Sequence, residues 1–250
     1  MRKKRKRQRP SKLQQTEITE RQFVSDASHE LKTPLASIKL LSDSILQNDM
    51  DADTMREFVS DIGNESDRLT RMTQKLLTLS KADAETVCDH EVVDLSEIVR
   101  RVFRMLVPLA DKTEVRLTAN LDRGCFVLSM EDDAYQILFN LVENGIKYNR
   151  ENGSVHVRVR HEEDTVVIDV EDTGSGIPEN ALDSIFNRFY RVDKARSRQA
   201  GGAGLGLSIV HEMVGRNFGT IEVTSKVGEG SRFTVTFPSF GSGEEEDGDA

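Results

Sequence analysis

The sequence contains no tryptophan, only two cysteines and no long apolar run. A helix that spans a bilayer needs roughly 18 or more apolar residues in a row. No stretch approaches that length, so we expect no transmembrane segment within the sequence and no secretory leader. Cys88 and Cys125 lie far apart and form no CxxC pair, which favours reduced thiols in a cytoplasmic setting. The dipeptide Gly-Lys is also absent, which excludes the P-loop mode of nucleotide binding.

Charge is concentrated at the two ends of the sequence. Residues 1–12 carry eight lysines and arginines and no acid, whereas every charged residue in 243–250 is acidic. Blocks of like charge repel and stay unfolded, so we expect disordered tails at 1–12 and 241–250. Basic clusters also follow the cytoplasmic ends of membrane helices, which makes a juxtamembrane position the alternative for the first tail. The body between the tails is acidic and has no nucleic-acid motif, so we expect no nucleic-acid partner.

Two apolar stripes with a helical period predict a helical hairpin over residues 13–83. The first stripe consists of Phe23, Ala27, Leu31, Leu35, Ile38, Leu41 and Ile45, and the second of Met55, Val59, Ile62, Leu69, Met72, Leu76 and Leu79. A turn-rich segment separates them, and Asp51 or Asp53 can cap the second helix. Because two helices alone cannot bury both stripes, the pattern predicts a homodimer built as a four-helix bundle.

A polar group of residues lies beside the first stripe. Neutral imidazole is a nucleophile near neutral pH, and Glu30 can hold one ring nitrogen of His29 as N–H while the other attacks. Thr33 lies four residues after His29, on the same helix face. Pro34 lacks an N–H and predicts a kink. A lone histidine in such a place is more often solvated or structural, so its role depends on context.

The sequence around His29 resembles a known motif. His-Glu-Leu-Lys-Thr-Pro-Leu at 29–35, with Phe-Val-Ser-Asp-Ala-Ser before it, closely resembles the phosphoacceptor box of sensor histidine kinases from two-component systems. The resemblance implies that His29 takes up a phosphoryl group, with Glu30 and Thr33 beside it. It also requires a phosphate donor elsewhere in the chain.

After a linker at 84–93 we predict a second domain at 94–240. A helix begins at Asp94, and further helices lie near Asp132–Tyr148 and Leu205–Arg216. Strands are predicted at Val115–Ala119, Phe126–Ser129, His156–Arg160, Val166–Val170, Thr220–Thr224 and Phe233–Phe237. Short connections between mixed helices and strands indicate an α/β sandwich, with helices layered on one sheet. The fold class is therefore α+β, a helical hairpin followed by an α/β sandwich.

The predicted helix from Asp132 places Asn140, Asn144 and Lys147 in one narrow polar stripe. Amide oxygens are hard ligands that suit Mg²⁺ bound to phosphate, and a lysine neutralises phosphate charge. The alternative is a solvated helix face. Two glycine-rich segments follow, one beside Asp172 with Gly174 and Gly176, the other opening the helix near Leu205. Glycines allow close backbone approach, and a helix N-terminus favours anions, but each signal is weak alone.

The asparagine helix and the two glycine-rich segments, in this order along the chain, resemble the Bergerat-type ATP-binding domain of histidine kinases. The resemblance implies that Asn144 binds Mg²⁺ with support from Asn140, and that Lys147 contacts phosphate. Tyr148 and Asp172 would then recognise adenine.

The resemblance extends to the later segments. Residues 186–191 look like the phenylalanine box, which makes Arg191 a candidate γ-phosphate contact. Gly202, Gly204 and Gly206 resemble the second glycine box, and the segment between the two boxes resembles a lid over ATP.

Two departures from the family pattern stand out. Gly145 replaces the usual alanine, which is expected to loosen its helix by up to about 1 kcal/mol. Asn217-Phe218-Gly219 replaces a common His-Gly-Gly turn and puts the geometry of that turn in doubt.

Together the resemblances imply ATP- and Mg²⁺-dependent autophosphorylation on His29, then transfer to an aspartate of a response-regulator receiver domain. A phosphatase activity assisted by Thr33 stays open. The implied location is the inner face of the cell membrane, with membrane contact through an upstream segment or the basic tail. An ATPase clamp and a non-catalytic dimerisation scaffold are the competing hypotheses. His90, His156, His161 and His211 are expected to be surface or structural residues.

Overall fold

The computed structural model describes residues 12–82, 90–192 and 204–241, apart from the side chains of 12–22, 78 and 80–82. The chain divides into two compact units, one ending at Leu76 and the other beginning at Leu77. The basic tail through residue 11, residues 84–89 of the predicted linker with Cys88, and the acidic tail from residue 242 lie outside the described residues.

The first unit contains the predicted helical hairpin except for the last residues of its second helix, from Leu77 onwards. Helix α1 spans Lys12–Gln47 and helix α2 spans Ala52–Ala82. Asp51 caps α2, because its carboxylate accepts hydrogen bonds from the backbone N–H of Asp53 and from Thr54. These bonds, above all that from the Thr54 backbone, lower the pKa of Asp51. Helix α1 continues through Pro34, and the kink at this residue stays a prediction.

Both apolar stripes of the hairpin are only partly covered. In residues 23–76, only Pro34 and Met72 are buried. Leu35 of the first stripe is 54% exposed and Val59 of the second is 56% exposed. Burial of apolar surface is the main stabilising contribution in such a bundle. A single chain therefore leaves this contribution incomplete.

The described residues of the second unit from 90 onwards form a mixed five-stranded sheet, a separate pair of strands, three α-helices and a 3₁₀ helix. These elements are β1 (Glu91–Asp94), α3 (Leu95–Lys112), β2 (Arg116–Leu121), β3 (Phe126–Ser129), α4 (Glu131–Lys147), β4 (Ser154–Glu162), β5 (Thr165–Asp172), a 3₁₀ helix (Glu179–Ser184), α5 (Gly206–Arg216), β6 (Thr220–Lys226) and β7 (Gly230–Pro238). The large sheet has the order β2-β4-β5-β7-β6, in which only β2 and β4 are parallel. Strands β1 and β3 form a separate antiparallel pair.

Side chains alternate between the two faces of the large sheet, as a strand period of two requires. On β4, for example, Val155, Val157 and Val159 are buried, while Arg158 between them is exposed. Helices α3, α4 and α5 each contact the sheet, and α4 contacts both α3 and α5. The core therefore lies between this helical layer and one face of the sheet, and the predicted α/β sandwich is confirmed.

Strand β1 is a correction to the sequence analysis. Residues 91–93 were placed in the linker, but they pair with β3, with Val92 opposite Leu128 and Val93 opposite Val127. Four residues are too few to show a period, and the partner strand is more than thirty residues away. Cys125 directly precedes β3. Its thiol is fully buried, and this burial raises the pKa of the thiol.

Helix α3 begins where the sequence predicts, directly after Asp94. The Asp94 carboxylate accepts a hydrogen bond of 2.8 Å from the backbone N–H of Ser96. The carboxylate also lies at the positive end of the helix dipole. This cap ties β1 to α3 and hence the small strand pair to the helical layer.

We expect an Asp94→Ala substitution to lower the free energy of unfolding by about 1 kcal/mol, because it removes the side-chain acceptor of the cap. Asp94→Asn keeps an acceptor oxygen and is the matched control. Urea unfolding of the two variants and the wild type measures the effect. Equal losses in both variants would show that the cap is not the cause.

Candidate functional site

The asparagine helix and the second glycine segment meet in the second unit. Asn140 on α4 is 1% exposed, and its Nδ2 donates a hydrogen bond of 2.9 Å to the carbonyl of Gln136. A Cβ placed on Gly206, the first residue of α5, would lie 3.2 Å from Asn140 Oδ1 and 3.9 Å from Asn144 Nδ2. Glycine therefore lets the N-terminus of α5 approach both amides. Free N–H groups at this N-terminus, with the amides opposite, suit a phosphate group.

Lys147, the lysine of α4, forms an ion pair within the helix. Lys147 forms an ion pair of 2.8 Å with Glu143, one turn earlier on α4, and both side chains are mostly buried. Asn144, which follows Glu143 in the chain, is half-buried. Sequence reasoning missed Glu143, although its spacing of four residues from Lys147 was a usable signal.

The first glycine segment is built around the carboxylate of Asp172. Asp172 ends β5, and the backbone N–H of Gly174 donates a 2.8 Å hydrogen bond to its Oδ1. The carbonyl of Tyr148, at the end of α4, accepts a 3.1 Å bond from the Ser175 N–H. A Cβ on Gly174 would lie 2.5 Å from this carbonyl and 2.8 Å from Asp172 Oδ1. Only glycine fits between them.

Asp172 is a carboxylate whose protonation is shifted. Burial raises its pKa, and hydrogen bonds from Gly174 and Ser231 oppose the shift without cancelling it. Ser231 lies opposite Asp172 on β7. A half-buried carboxylate with a raised pKa suits a ligand that brings a further donor, such as the amino group of adenine.

The turn after Gly174 rests on the β6–β7 hairpin. Gly176 has a φ of +66°, and a Cβ there would lie 2.1 Å from the Lys226 carbonyl, so the position requires glycine. The Ile177 N–H donates a 2.8 Å bond to Ser225 Oγ. Sequence reasoning missed Ser225 and Ser231, because an isolated serine on a strand gives no signal until the register of the sheet is known.

Gly145, which departs from the family pattern, faces Val155 and Asp172. A Cβ at this position would lie 3.0 and 3.3 Å from the two methyl carbons of Val155 and 3.4 Å from Asp172 Cβ. The contact is tight, so the bare glycine lets α4 lie close to β4 beside the aspartate. The expected loosening of the helix stays a prediction.

The phenylalanine segment packs against the second glycine segment and against α5. The Phe189 N–H donates a 2.8 Å bond to the Gly204 carbonyl. Gly204 has a φ of +71°, and a Cβ there would lie 2.8 Å from the Tyr190 carbonyl. The Phe186 ring lies 5.6 Å from the His211 ring on α5. Arg191 is half-buried at the end of this segment, while Gly202 and most of the predicted lid lie outside the described residues.

The phosphoacceptor segment lies in the first unit. His29 is exposed on α1, Glu30 is half-buried and Thr33 is exposed. The Thr33 hydroxyl donates a 3.4 Å hydrogen bond to the His29 carbonyl, so the two residues share a face as predicted. An exposed imidazole is open to a reaction partner, which a buried core histidine is not.

Comparisons with known proteins agree with this geometry. Residues 19–85 match the family model described as the His Kinase A (phospho-acceptor) domain. Residues 129–240 match the model of histidine kinase-, DNA gyrase B- and HSP90-like ATPases. The chain is 37% identical, over 225 residues and 90% of its length, to the sensor-like histidine kinase SenX3 of Mycolicibacterium smegmatis, and it covers 59% of that protein.

Two solved structures share the fold. The histidine kinase AdeS of Acinetobacter baumannii aligns over 84% of this chain and 98% of its own, with a TM-score of 0.68 and 22% identity. The histidine kinase ThkA, solved in complex with the response regulator TrrA, aligns over 88% of this chain and 61% of its own, with a TM-score of 0.71 and 20% identity.

The second unit is thus an ATP-binding domain of the kind shared by histidine kinases, gyrase B and HSP90. Joined to the phosphoacceptor hairpin, it identifies the chain as a member of the sensor histidine kinases of two-component systems.

Gly174→Ala is expected to weaken ATP binding at least about tenfold, because the added methyl group displaces either the Tyr148 carbonyl or the Asp172 carboxylate. Gly215→Ala is the matched control, since a Cβ there meets nothing within 4 Å. Displacement of a fluorescent ATP analogue measures both affinities. Unchanged affinity in the first variant would remove the Gly174 turn from the site.

The raised pKa of Asp172 predicts a pH dependence of stability. The folded unit takes up a proton at a pH where the unfolded chain does not, so the buried charge costs stability above the raised pKa. This cost disappears as the pH falls through the raised pKa towards the ordinary value of 3.8. Asp172→Asn carries no charge. We therefore expect the variant to be more stable than the wild type at pH 7, with a gap that narrows as the pH falls.

Urea unfolding at a series of pH values tests this expectation. The same variant should lose ATP binding, although it stays folded, because the adenine acceptor is changed. A gap that stays constant with pH would contradict the assignment of the effect to Asp172.

Proposed function

We propose that this chain autophosphorylates on His29 with ATP and passes the phosphoryl group to an aspartate of a response-regulator receiver domain. The observation that carries the proposal is the convergence of Asn140, Asn144 and Gly206 in a chain that also exposes His29. The chain covers 59% of the length of SenX3, so the activity is proposed for the part present here.

The chemistry is phosphoryl transfer to nitrogen. The unprotonated ring nitrogen of His29 attacks the γ-phosphorus of ATP, the bond from this phosphorus to the β–γ bridging oxygen breaks, and ADP leaves. Glu30 orients the ring and takes the proton of the other ring nitrogen. Such a transition state spreads negative charge over the γ-phosphoryl oxygens, so catalysis depends on positioning and on nearby positive charge.

The residues of the second unit have matching roles. Asp172 accepts the adenine amino group, and Tyr148 lies beside the same turn. Lys147 neutralises phosphate charge, Gly174 and Gly176 shape the adenine side, and the N-terminus of α5 at Gly206 receives phosphate. Arg191 is the candidate contact for the γ-phosphate, with Gly202 and Gly204 in the segment that leads to the lid.

The amides of α4 fit Mg²⁺. Among the described residues, no group of three or more His, Cys, Asp or Glu side chains is arranged to hold a metal. Mg²⁺ commonly uses few protein ligands, because it keeps waters and binds phosphate oxygens. The half-buried Asn144 suits a direct ligand, whereas the buried Asn140, whose Nδ2 is bonded to the Gln136 carbonyl, suits a supporting role. When bound, Mg²⁺ neutralises charge on the phosphates.

The exposed stripes of the hairpin support the proposal of a homodimer. The stripes that contain Leu35 and Val59 are more than half exposed at these residues in one chain. Two copies related by a two-fold axis would bury the four stripes together as a four-helix bundle.

The receiver-domain partner is supported by the likeness to ThkA, which was solved in complex with the response regulator TrrA. Thr33, exposed and one turn after His29, is placed to assist water in removing phosphate from such a partner, which would give a phosphatase activity.

We place the chain on the cytoplasmic side of the membrane as part of a receptor. None of the described helices is long and apolar enough to cross a bilayer.

Incubation with γ-labelled ATP tests the function. The wild type is expected to take up acid-labile label, and His29→Gln is expected to lose it completely while still binding ATP. His156→Gln is the control, because this ring lies on β4 and bonds to Thr118. ATP hydrolysis without labelled protein would favour an ATPase clamp, and a chain that neither binds ATP nor takes up label would be a scaffold.

A further inference from the structure

A buried polar cluster, which the proposed chemistry does not use, joins α4 to α5 away from the nucleotide site. Asp133 and Asn217 are each 1% exposed. Asp133 receives two hydrogen bonds from the Arg216 guanidinium, one to each carboxylate oxygen. It also receives a 2.7 Å bond from Asn217 Nδ2. Below, Asp133, Arg216 and Asn217 are called the α4–α5 clamp.

The Asn217 side chain also caps the N-terminus of α4. Met130 precedes the helix and its side chain makes no cap hydrogen bond. Instead, the Met130 N–H donates a 3.0 Å bond to Asn217 Oδ1, and the Ser129 hydroxyl donates a 2.9 Å bond to the same atom. The acceptor of a capping box is thus supplied from the end of another helix. Asn217 Nδ2 also donates a 2.7 Å bond to the Met213 carbonyl of α5.

The α4–α5 clamp fixes the position of the two helices whose other contact forms the phosphate side of the nucleotide site. It joins the first turn of α4 to the last turn of α5, and Asn140 of α4 meets Gly206 at the other end of α5. Along the helix axes these contacts are about 10 Å apart on α4 and about 15 Å apart on α5, at 1.5 Å per residue. The two helices therefore run antiparallel and are pinned at one end by the clamp. A change of tilt or register there moves the N-terminus of α5 relative to the α4 amides.

We propose that Asp133, Arg216 and Asn217 are positioning residues for the phosphate side of the nucleotide site. The inference rests on the proposed function, because it assigns phosphate to the contact between Gly206 and the asparagines. It assigns no role to the clamp in adenine recognition, since Asp172 and its turn lie on β5 and are held by Gly174, Ser231 and Tyr148.

This division predicts a selective defect. Asn217→Ala removes the cap of α4 and one donor to Asp133, so the triphosphate should bind less well while adenosine binds as before. We expect the dissociation constant of ATP to rise about tenfold, as for a lost buried hydrogen bond, and that of adenosine to change less than about twofold. A general loss of stability would weaken both ligands by the same factor.

The experiment uses the full chain, with ATP and adenosine each displacing a fluorescent ATP analogue. Ser96→Ala is the matched control. Ser96 is buried on α3, and its hydroxyl donates a 3.1 Å bond to the Asp122 carbonyl, so its loss costs a hydrogen bond without touching the clamp. Its ratio of ATP to adenosine affinity should equal that of the wild type.

Arg216→Lys covers the case in which Asn217→Ala does not fold. Lysine keeps the charge beside Asp133 but loses the planar fork, so the affinity ratio should shift in the same direction by about threefold. An unchanged ratio in a folded variant, or an equal loss of both ligands, would overturn the proposal. Because the readout is binding, a wild type that binds ATP but never labels His29 would refute the proposed function and leave the clamp intact.

Discussion

The nucleotide site depends on the close approach of α5 to α4. Two helices pack with their axes 8–10 Å apart when side chains separate them, and a backbone N-terminus reaches a neighbouring amide only where a side chain is missing. Gly206 supplies that gap, since even a methyl group there would lie 3.2 Å from Asn140 Oδ1. The buried amide of Asn140 is in turn fixed by the Gln136 carbonyl. One glycine and one amide thus bring together segments more than sixty residues apart.

The adenine side is organised differently, around the half-buried carboxylate of Asp172. The turn around Asp172 is assembled from four parts of the chain: the end of α4, the end of β5, the loop that follows it and the β6–β7 hairpin. Each part approaches through its backbone, which explains why glycines stand at 174 and 176, where a Cβ would meet a carbonyl oxygen within 2.5 Å.

Sequence reasoning predicted the helices well because their apolar periods are long. The hairpin, the helix from Asp94 and the asparagine helix were all predicted, and the ends of the six predicted strands lie within three residues of the observed ends. Strand β1 was missed because four residues have no measurable period and their partner β3 is distant. The resemblance, rather than periodicity, gave the roles of Asn144, Asp172 and Arg191.

What the sequence could not give was the set of supporting contacts. Glu143 beside Lys147, Ser231 beside Asp172 and Asn217 beneath α4 are ordinary polar residues in ordinary positions. Their partners are decided by strand register and helix packing, which are properties of the whole unit. Asn217 shows this clearly: the departure from a His-Gly-Gly turn put only the geometry of the turn in doubt, whereas the Asn217 side chain caps α4 by hydrogen bonds. Phe218 beside it takes the φ of +60° that glycine favours, and it is 70% exposed.

The burial of Cys125 has a practical consequence. Its thiol has no exposed surface, and burial raises its pKa, so the reactive thiolate is scarce and inaccessible in the folded state. An alkylating reagent can modify it only during transient opening of the second unit. The rate of modification at Cys125, followed separately from that at Cys88, then measures how often the ATP-binding core opens. A bound nucleotide should slow this rate, and the more so the more tightly the nucleotide binds.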